Sequence, residues 1–513
     1  MKMAKLNRNK KIVIGIVTAV VVISLLCPMV VSAVRIASFK DFEIAEKPQD
    51  GSSILQPFAS GTGGSENFRI PAMVTLDDGT IITSADARWN HYEDSSNIDT
   101  LVSVSKDNGA TWHYTFANYL GDYGNELNDG ATCFIDTALA TDGKQAYMVA
   151  DLNPSGYATS SSMYKAKTGK TGFDEQNRLL LREKDEVKVP FGGFTYPDAC
   201  HSADYDFYLD YTDDTRSGYG VFRRKTEDRV EGIEVDLFFN LTYTNDEGRK
   251  ETTNIFFHNS PYQVYPTTYL YFTSTTDGLN WSAPTLLNLK TKDEQALLIG
   301  PGNGVYDEEN GRLIYTAYSH TNGKPEYACL IWRDKKGAWH RSENATKSEW
   351  SSEGSVVLLD DGRLRVFYRS GSEVLKYTDF VFDESLGNYV KKDGGIEVDT
   401  GTTKTANCQL SAMEYSGGYQ GKELILVSTP TAENRKRENG VIYAFAVESD
   451  GTMTLVGTYF NFDGSFGYSC IAELSTGEIA VLFETDGKIE FQVVSFDIFN
   501  TTLKKTPKKV SCP

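Results

Sequence analysis

The chain reads as an all-β protein, with a β-propeller favoured over a β-sandwich. Three observations carry this reading. Tyr (29), Phe (27) and Gly (44) are abundant among 513 residues, a mixture that suits short strands and tight turns. No helical period is sustained anywhere along the chain. A unit of apolar strand, Gly-containing turn and apolar strand recurs, as expected of hairpins repeated around a central channel. A sandwich with many hairpins remains the alternative on periodicity alone.

Taken in order, Lys2, Lys5, Arg8, Lys10 and Lys11 precede an uncharged apolar run from Ile12 to about Val34. Val31-Ser32-Ala33 has the small residues of a cleavage site, so residues 1–33 are expected to be a signal peptide or an N-terminal membrane anchor. In either case the basic flank stays inside and the rest is exported, secreted or held at the cell surface by this segment. Ser24-Leu25-Leu26-Cys27 makes a poor lipoprotein site because the residue before Cys27 is bulky. Residues 34–65 are polar and rich in Gly and Ser, and read as a linker. The globular unit is expected over 66–503, followed by a tail at 504–513.

Within that unit, Asp77-Asp78-Gly79 separates Met73-Val74 from Ile81-Ile82, and the pattern returns at Asp142-Gly143, Asn310-Gly311, Asp361-Gly362 and Thr476-Gly477. Asp-Gly and Asn-Gly between alternating strands are strong hairpin signals. Residues 158–266 break the pattern. They are rich in Tyr, Asp and Glu, contain strand-like runs such as Gly232 to Thr242, and are expected to form an inserted β-rich subdomain.

The net charge of −19 argues against nucleic acid and against an acidic membrane surface as the main partner. Membrane attachment, if any, is expected through the leader. Seven Cys are scattered with no CxxC and no His cluster, so a zinc site is not expected. Cys27 lies in the leader; the other six read equally well as buried thiols or as disulfide partners in an oxidising compartment. Four Asn-x-Ser/Thr triplets, at Asn240, Asn280, Asn344 and Asn500, are close to chance in a chain this long.

The functional reading starts at Asn67-Phe68-Arg69-Ile70-Pro71-Ala72. An arginine held at a strand mouth by a following proline offers a rigid fork of donors to a carboxylate. Because the whole chain is acidic, a local cluster of arginines has to override the global field if an anion is to bind there.

Ser105-x-Asp107-x-Gly109-x-Thr111-Trp112 is a complete copy of the Asp-box, and Phe68-Arg69-Ile70-Pro71 upstream matches the Phe/Tyr-Arg-Ile-Pro motif of sialidases. Over about residues 60 to 500 the chain resembles bacterial-type exo-α-sialidases, or neuraminidases, that carry an inserted domain in the propeller. The resemblance implies a six-bladed β-propeller. It makes Asp107 and Trp112 braces of a hairpin turn. Further boxes look degenerate: one from Ser274 to Trp281 has Thr276 where Asp is expected, and one from Asp334 to Trp339 is shifted by a residue.

The same resemblance implies the site residues. Arg69, Arg369 and Arg437 match the triad that holds the sugar carboxylate, with Arg435 a rival for the third place. Arg88 and Asp136 match further sugar contacts. Asp94 matches the general acid, on a loop whose closure would raise its pKa towards neutrality, with Glu93 and Asp99 as nearby alternatives. Tyr468 matches the nucleophile and Glu353 the base that takes its proton. A neutral phenol is not repelled by the substrate carboxylate, and a tyrosine nucleophile is the recognised exception to the two-carboxylate scheme of glycosidases. Glu484 matches a brace for Arg69.

What the resemblance implies is retaining hydrolysis of terminal sialic acids from glycoproteins, glycolipids and oligosaccharides, with no metal or organic cofactor. Transfer to a sugar hydroxyl, or intramolecular transfer giving an anhydro product, is the enzymatic alternative. A sialic-acid-binding adhesin is the alternative of another class, and it has no need of Asp94, Glu353 and Tyr468 together.

Overall fold

The computed structural model describes residues 44, 46–48, 54–121, 131–155, 157, 169–184, 188–191, 194–197, 205–257, 259–401, 404–431 and 436–496. The leader, the C-terminal tail, Arg435, Cys27, Cys200, Cys512 and Asn500 lie outside them. Among the described residues there are β-strands, one short 3₁₀ turn at Thr62–Gly64 and no α-helix, and no helix long and apolar enough to cross a membrane.

Six antiparallel sheets follow one another along the chain. Blade 1 holds Phe68–Thr75, Ile81–Ala87, Asp99–Ser105 and His113–Asn118. Blade 2 holds Cys133–Thr141, Ala146–Asn153, Tyr269–Thr275 and Thr285–Leu287, with the short strand Gly302–Asn303 parallel to its innermost one. Blade 3 runs from Ala296–Ile299 through Arg312–His320 and Tyr327–Arg333 to Trp339–Asn344. Blade 4 runs from Gly354–Leu358 to Asn388–Glu397, and blade 5 from Ser411–Glu414 to Met453–Ser465. Blade 6 has three described strands, Ser469–Glu473, Ile479–Thr485 and Lys488–Val494.

An apolar face on each side of a blade demands a neighbour, and closure satisfies that demand all the way round. Val74 and Ile82 meet Leu139 and Met148 between blades 1 and 2. Val149 and Leu270 meet Leu297 and Tyr315 between 2 and 3. Trp332 meets Tyr389 between 3 and 4, Phe367 meets Val427 between 4 and 5, and Leu426 meets Val481 between 5 and 6. Phe68 and Trp112 of blade 1 meet Leu482 and Ile489 of blade 6, which shuts the ring. The innermost strands therefore stand side by side around the axis, Phe68–Thr75 touching both Ser469–Glu473 and Cys133–Thr141.

Trp112 shows how a turn sets a junction. Ser105 Oγ donates to Asp107 Oδ1 at 2.8 Å, which in turn accepts from the Thr111 N–H at 2.9 Å. This fixes the turn so that the indole N–H reaches the Gly109 carbonyl at 3.1 Å, and the ring, fully buried, meets Phe491 edge-on at 5.0 Å. The turn near Trp281 repeats the arrangement one residue out of the register expected from the sequence. Thr275 bonds Asp277 at 3.0 Å, and the Trp281 N–H reaches the Gly278 carbonyl at 3.0 Å, so the aspartate looked for at position 276 is Asp277. At Asp334 the same carboxylate-to-backbone bond reaches the Ala338 N–H at 2.9 Å.

Between Ala146–Asn153 and Tyr269–Thr275 of blade 2 the chain leaves the ring and builds a seven-stranded antiparallel sheet. Its strands run from Leu180–Glu183 to Tyr262–Val264, and these two pair with each other. Leu181, Leu241 and Phe256 of the insertion pack on Phe134, Leu152 and Tyr269 of blade 2 in one apolar cluster. The last part of the segment read as a linker is also docked: Ile54 bridges Trp112, and Phe58 is buried against Phe68 with ring centroids 5.6 Å apart. Apolar side chains in a Gly/Ser-rich stretch decide this, because burying Phe58 outweighs the chain freedom its neighbours favour. Cys133, Cys329, Cys408 and Cys470 are buried free thiols.

Candidate active site

The strand that begins at Phe68 is bulged between Arg69 and Ala72. Ile70 lies there at φ 59°, a left-handed conformation that a β-branched residue adopts only when its surroundings force it, at a cost of about 1–3 kcal/mol. Pro71 fixes the chain after it, and Glu484 Oε1 accepts the Ile70 N–H at 2.8 Å. The bulge turns Arg69 towards the loops, where its Nε meets Glu484 Oε1 at 3.2 Å and its Nη1 meets Asp94 Oδ1 at 3.0 Å. Glu484 Oε2 also accepts the Tyr468 N–H at 3.4 Å, so one carboxylate aligns Arg69 with Tyr468.

Arg88 is fully buried. Asp86 Oδ2 takes its Nη2 at 2.8 Å and its Nε at 3.3 Å, the Tyr92 and Glu93 carbonyls take its Nη1, and Asp94 Oδ1 lies 2.5 Å from that same nitrogen. Burial works against the charge of Arg88, but Asp86 and Asp94 outweigh it and hold the guanidinium firmly protonated. Of the alternatives near Asp94, Glu93 contributes only its carbonyl to this network, and Asp99 is buried with its carboxylate on the Leu120 N–H at 2.8 Å.

The carboxylate of Asp94 differs from expectation. Partial burial pulls its pKa up, but Arg88 and Arg69 together more than reverse this and hold it below the ordinary aspartate value. In the free protein the loop delivers Asp94 onto two guanidinium groups and leaves its side chain 62% exposed, so the upward shift expected on closure over a substrate is absent from this state.

Across the site, the Tyr468 hydroxyl donates to Glu353 Oε1. Both residues are 5% exposed. Arg369 Nη1 lies 3.0 Å from Glu353 Oε2 and 3.5 Å from the Tyr468 oxygen, and Asn407 Oδ1 fixes its Nε at 2.8 Å. Arg437 and Arg69 stand over the Tyr468 ring with Cζ at 4.9 and 5.6 Å from its centroid. Burial, then the negative charge of Glu353, pushes the Tyr468 phenol well above its usual range, so it is neutral at physiological pH.

Asp136 sits in a second bulge, at φ 57° and 8% exposed, and its N–H donates to Asp86 Oδ1 at 3.1 Å. Burial and the charges of Asp86 and Asp151 raise its pKa well above normal. Asp151 beneath it is fully buried; one oxygen accepts the Ile299 N–H at 3.0 Å and the other has no partner among the described residues. Burial pushes Asp86 up to about 6, and Asp151 moves the same way.

A buried carboxyl whose folded pKa lies above its unfolded one favours the fold while protonated, and loses that favour as pH rises beyond about 4, where the unfolded chain ionises freely. Thermal stability is therefore expected to decline from pH 4 to pH 7. Asp151→Asn is expected to raise the melting temperature by a few degrees at pH 8 and not at pH 4, as read by calorimetry; an equal effect at both would disprove the charge account.

All nine residues singled out in the sequence thus fall around one centre at the axis, contributed by blades 1, 2, 4, 5 and 6 and the loops between them. Of its four arginines, Arg69, Arg88 and Arg369 are paired with carboxylates, whereas among the described residues Arg437 forms no ion pair. That spare guanidinium provides the local positive charge that the acidic chain requires if an anion is to bind. Sequence reasoning missed Asp86, which ties Arg88 to Asp136, and Asn407, which orients Arg369. Asp86 is the penultimate residue of the strand Ile81–Ala87, and nothing in the sequence sets it apart from its strand neighbours.

Arginines gathered beside a tyrosine and glutamate pair at the axis of a six-bladed propeller define the class: a sialidase-like carbohydrate site. No family model matches the chain. It is 45% identical over 440 residues to a sialidase of Paraclostridium sordellii, covering 84% of each. It is 28% identical over 468 residues to the anhydrosialidase of Macrobdella decora, covering 83% of this chain and 59% of that relative. The crystal structure of an intramolecular trans-sialidase from Ruminococcus gnavus, in complex with oseltamivir carboxylate, superposes with a TM-score of 0.70 at 25% identity, over 88% of this chain and 99% of that one. The chain belongs to the sialidase family.

Proposed function

We propose that the protein is a retaining exo-α-sialidase acting on terminal sialic acids of glycoproteins, glycolipids and oligosaccharides, exported by way of its N-terminal segment. The observation that carries the reading is the Tyr468 hydroxyl on Glu353 with Arg369, Arg69 and Arg437 around the same ring. The substrate carboxylate takes up the spare donors of Arg437 together with Arg69 and Arg369. Asp94 gives a proton to the glycosidic oxygen, Tyr468 attacks the anomeric carbon as Glu353 accepts its proton, and the bond to the leaving sugar breaks. Water then gives a proton to the ionised Asp94 and attacks the anomeric carbon, the bond to Tyr468 breaks, and Glu353 returns its proton to the phenolate oxygen.

The guanidiniums hold the carboxylate before and throughout the reaction, so their contribution is to bind the sugar and orient its anomeric carbon between Asp94 and Tyr468. Glu353→Gln removes the base while keeping shape and is expected to lower kcat about a hundredfold, read with an aryl sialoside; a variant as active as wild type would count against the role.

A second reading follows from the relatives. The matched anhydrosialidase and the superposed intramolecular trans-sialidase are named for a reaction in which a hydroxyl of the bound sugar replaces water. Both reactions share every step up to the covalent intermediate. Mass analysis of the product from a sialyl-lactose decides: free sialic acid supports hydrolysis, and a product lighter by one water supports the intramolecular route. Binding without any product would overturn both in favour of a lectin.

A further inference from the structure

Asp94 is carried by the loop that joins Ile81–Ala87 to Asp99–Ser105, and both ends of that loop are fastened to the propeller. At one end the Trp89 carbonyl accepts the N–H groups of Glu66 and Asn67 and the Asn67 side-chain amide, while the indole stacks on Phe116. At the other end the Ile98 carbonyl accepts the Phe134 N–H of blade 2 at 2.8 Å. Between these points the backbone passes through the left-handed region at Trp89, φ 50°, and at Ser96, φ 97°, neither of them a glycine. A stretch strained near both ends keeps its shape only while other contacts impose it.

His91 makes the contact across the neck of the loop. The residue is 6% exposed; its N–H donates to the Arg88 carbonyl at 3.0 Å, and its ring Nε2 lies 3.1 Å from the Asn97 carbonyl oxygen. A carbonyl only accepts, so Nε2 carries the ring proton and Nδ1 holds a lone pair. That Nδ1 is buried with no hydrogen-bond partner among the described residues. A second proton there would form a donor with no acceptor, and a positive charge beside the fully buried guanidinium of Arg88. Burial is the main influence that holds the imidazole below its ordinary pKa; Arg88 adds to it, and the Asn97 carbonyl and Glu93 oppose it.

The other ionisable groups around the loop are engaged elsewhere. Asp94 is held by Arg88 and Arg69, Asp99 accepts the Leu120 N–H, and the Glu66 carboxylate takes the Ser60 hydroxyl. Asp486 and Lys488 of blade 6 line a cleft with Tyr92, and Cys133 of blade 2, bridged to Ile98, is a neutral thiol. The Trp89 indole N–H and the Asn97 side-chain amide are also buried without hydrogen-bond partners among the described residues. Opening would give all three groups water, so the closed loop depends on the ties that remain.

We infer that His91 is a positioning residue for the general acid: its uncharged ring ties the neck of the loop, keeps Asp94 beside Arg88 and Arg69, and lets the loop go when acid charges it. The inference rests on the proposed role of Asp94 and adds to it a control by pH. A base whose charged form is disfavoured in the closed loop makes closure lose favour as pH falls below about 6.5, the value of the ring once it is free in water. The loss continues down to the lower pKa of the closed state.

The test uses His91→Gln, whose amide nitrogen can stand in for Nε2 but takes up no proton in this range, and His91→Ala, which lacks the tie. Hydrogen–deuterium exchange of the peptide spanning residues 89–97, corrected for the intrinsic effect of pH, is followed by mass spectrometry at about pH 7.5 and about pH 5, with blade 3 peptides as the reference for global unfolding. In the wild type, exchange of the loop alone is expected to speed up about threefold or more on acidification. In both variants it should not depend on pH, and in His91→Ala it should be fast throughout. With sialyl-lactose, the ratio of kcat/KM at the lower pH to that at the higher should be about threefold greater in His91→Gln than in the wild type. Wild-type exchange indifferent to pH overturns the inference. So does a rise that survives in both variants, or a His91→Ala loop as protected as the wild type. The exchange needs no turnover, so a loop that responds as expected in a protein inactive on every sialoside would overturn the sialidase reading and leave the tie standing. An active enzyme whose loop ignores pH overturns the tie alone.

Discussion

Tyr468→Phe is expected to lower kcat on an aryl sialoside about a thousandfold or more, while leaving the fold intact and KM within a few-fold of wild type. The size follows from the role: loss of a nucleophile removes the covalent route altogether, and what remains is the rate supplied by binding and electrostatics. Structural damage is not expected to contribute. The Phe ring keeps the packing of Tyr468 against Ile70, Ala406 and Cys408, and Glu353, once without the hydroxyl, keeps its ion pair with Arg369 at 3.0 Å. In the proposed mechanism a phenol suits the role of nucleophile because burial and Glu353 keep it neutral until a substrate arrives, so it does not repel the incoming carboxylate. Intact-mass analysis after reaction with a fluorinated sialosyl fluoride should show one sugar attached to the wild type and none to the variant. Activity within tenfold of wild type, or a sugar trapped on another residue, would remove Tyr468 from the centre of the mechanism.

How much of this was legible in the sequence depends on the range of the interactions concerned. Hairpins were legible because Asp-Gly and Asn-Gly turns act over a few residues: four of the five join consecutive strands of one blade, and Asn310-Gly311 joins Arg312–His320 to the short strand Val305–Asp307 at its side. Ring closure was not, since the contact of Phe68 with Leu482 joins opposite ends of the unit, and only the family resemblance supplied the number six. The insertion showed itself as a break in the pattern. The pairing of Leu180–Glu183 with Tyr262–Val264 across its whole length left no local trace. Spacing from Ser274 predicts the turn at Trp281 one residue out of register, because hydrogen bonding selects Thr275 and Asp277 instead.

At the site, motifs pointed to Arg69, Asp94 and Tyr468, but the state of Asp94 is a property of three dimensions. The sequence places Arg88 six residues before it without revealing that both Arg88 and Arg69 turn onto its carboxylate. Asp86 went unread for a related reason. Its neighbours Ala85 and Ala87 make it look like one more position in a strand, and only its contacts with Arg88 and Asp136 give it meaning.

Asp94→Asn is expected to lower kcat/KM for a sialyl-hexoside by about 10² to 10⁴-fold and for a nitrophenyl sialoside far less, because a good leaving group needs little help from an acid. The pH dependence separates this role from mere pairing. Arg88 and Arg69 favour the ionised form of Asp94, so in the free protein the acid is protonated only well below neutrality. A bound substrate carboxylate takes up Arg69 and places a negative charge beside Asp94, and both effects raise its pKa. Activity that requires protonated Asp94 falls as pH rises through the relevant pKa. In kcat/KM, which reports the free protein, that fall is therefore expected at lower pH than in kcat, by about one unit or more; one unit corresponds to about 1.4 kcal/mol. The Asn variant should lack this limb in both profiles. Limbs that coincide in the wild type, or one that survives in Asp94→Asn, would show that substrate binding does not set the proton on Asp94 and that the acid must be sought elsewhere around Arg88.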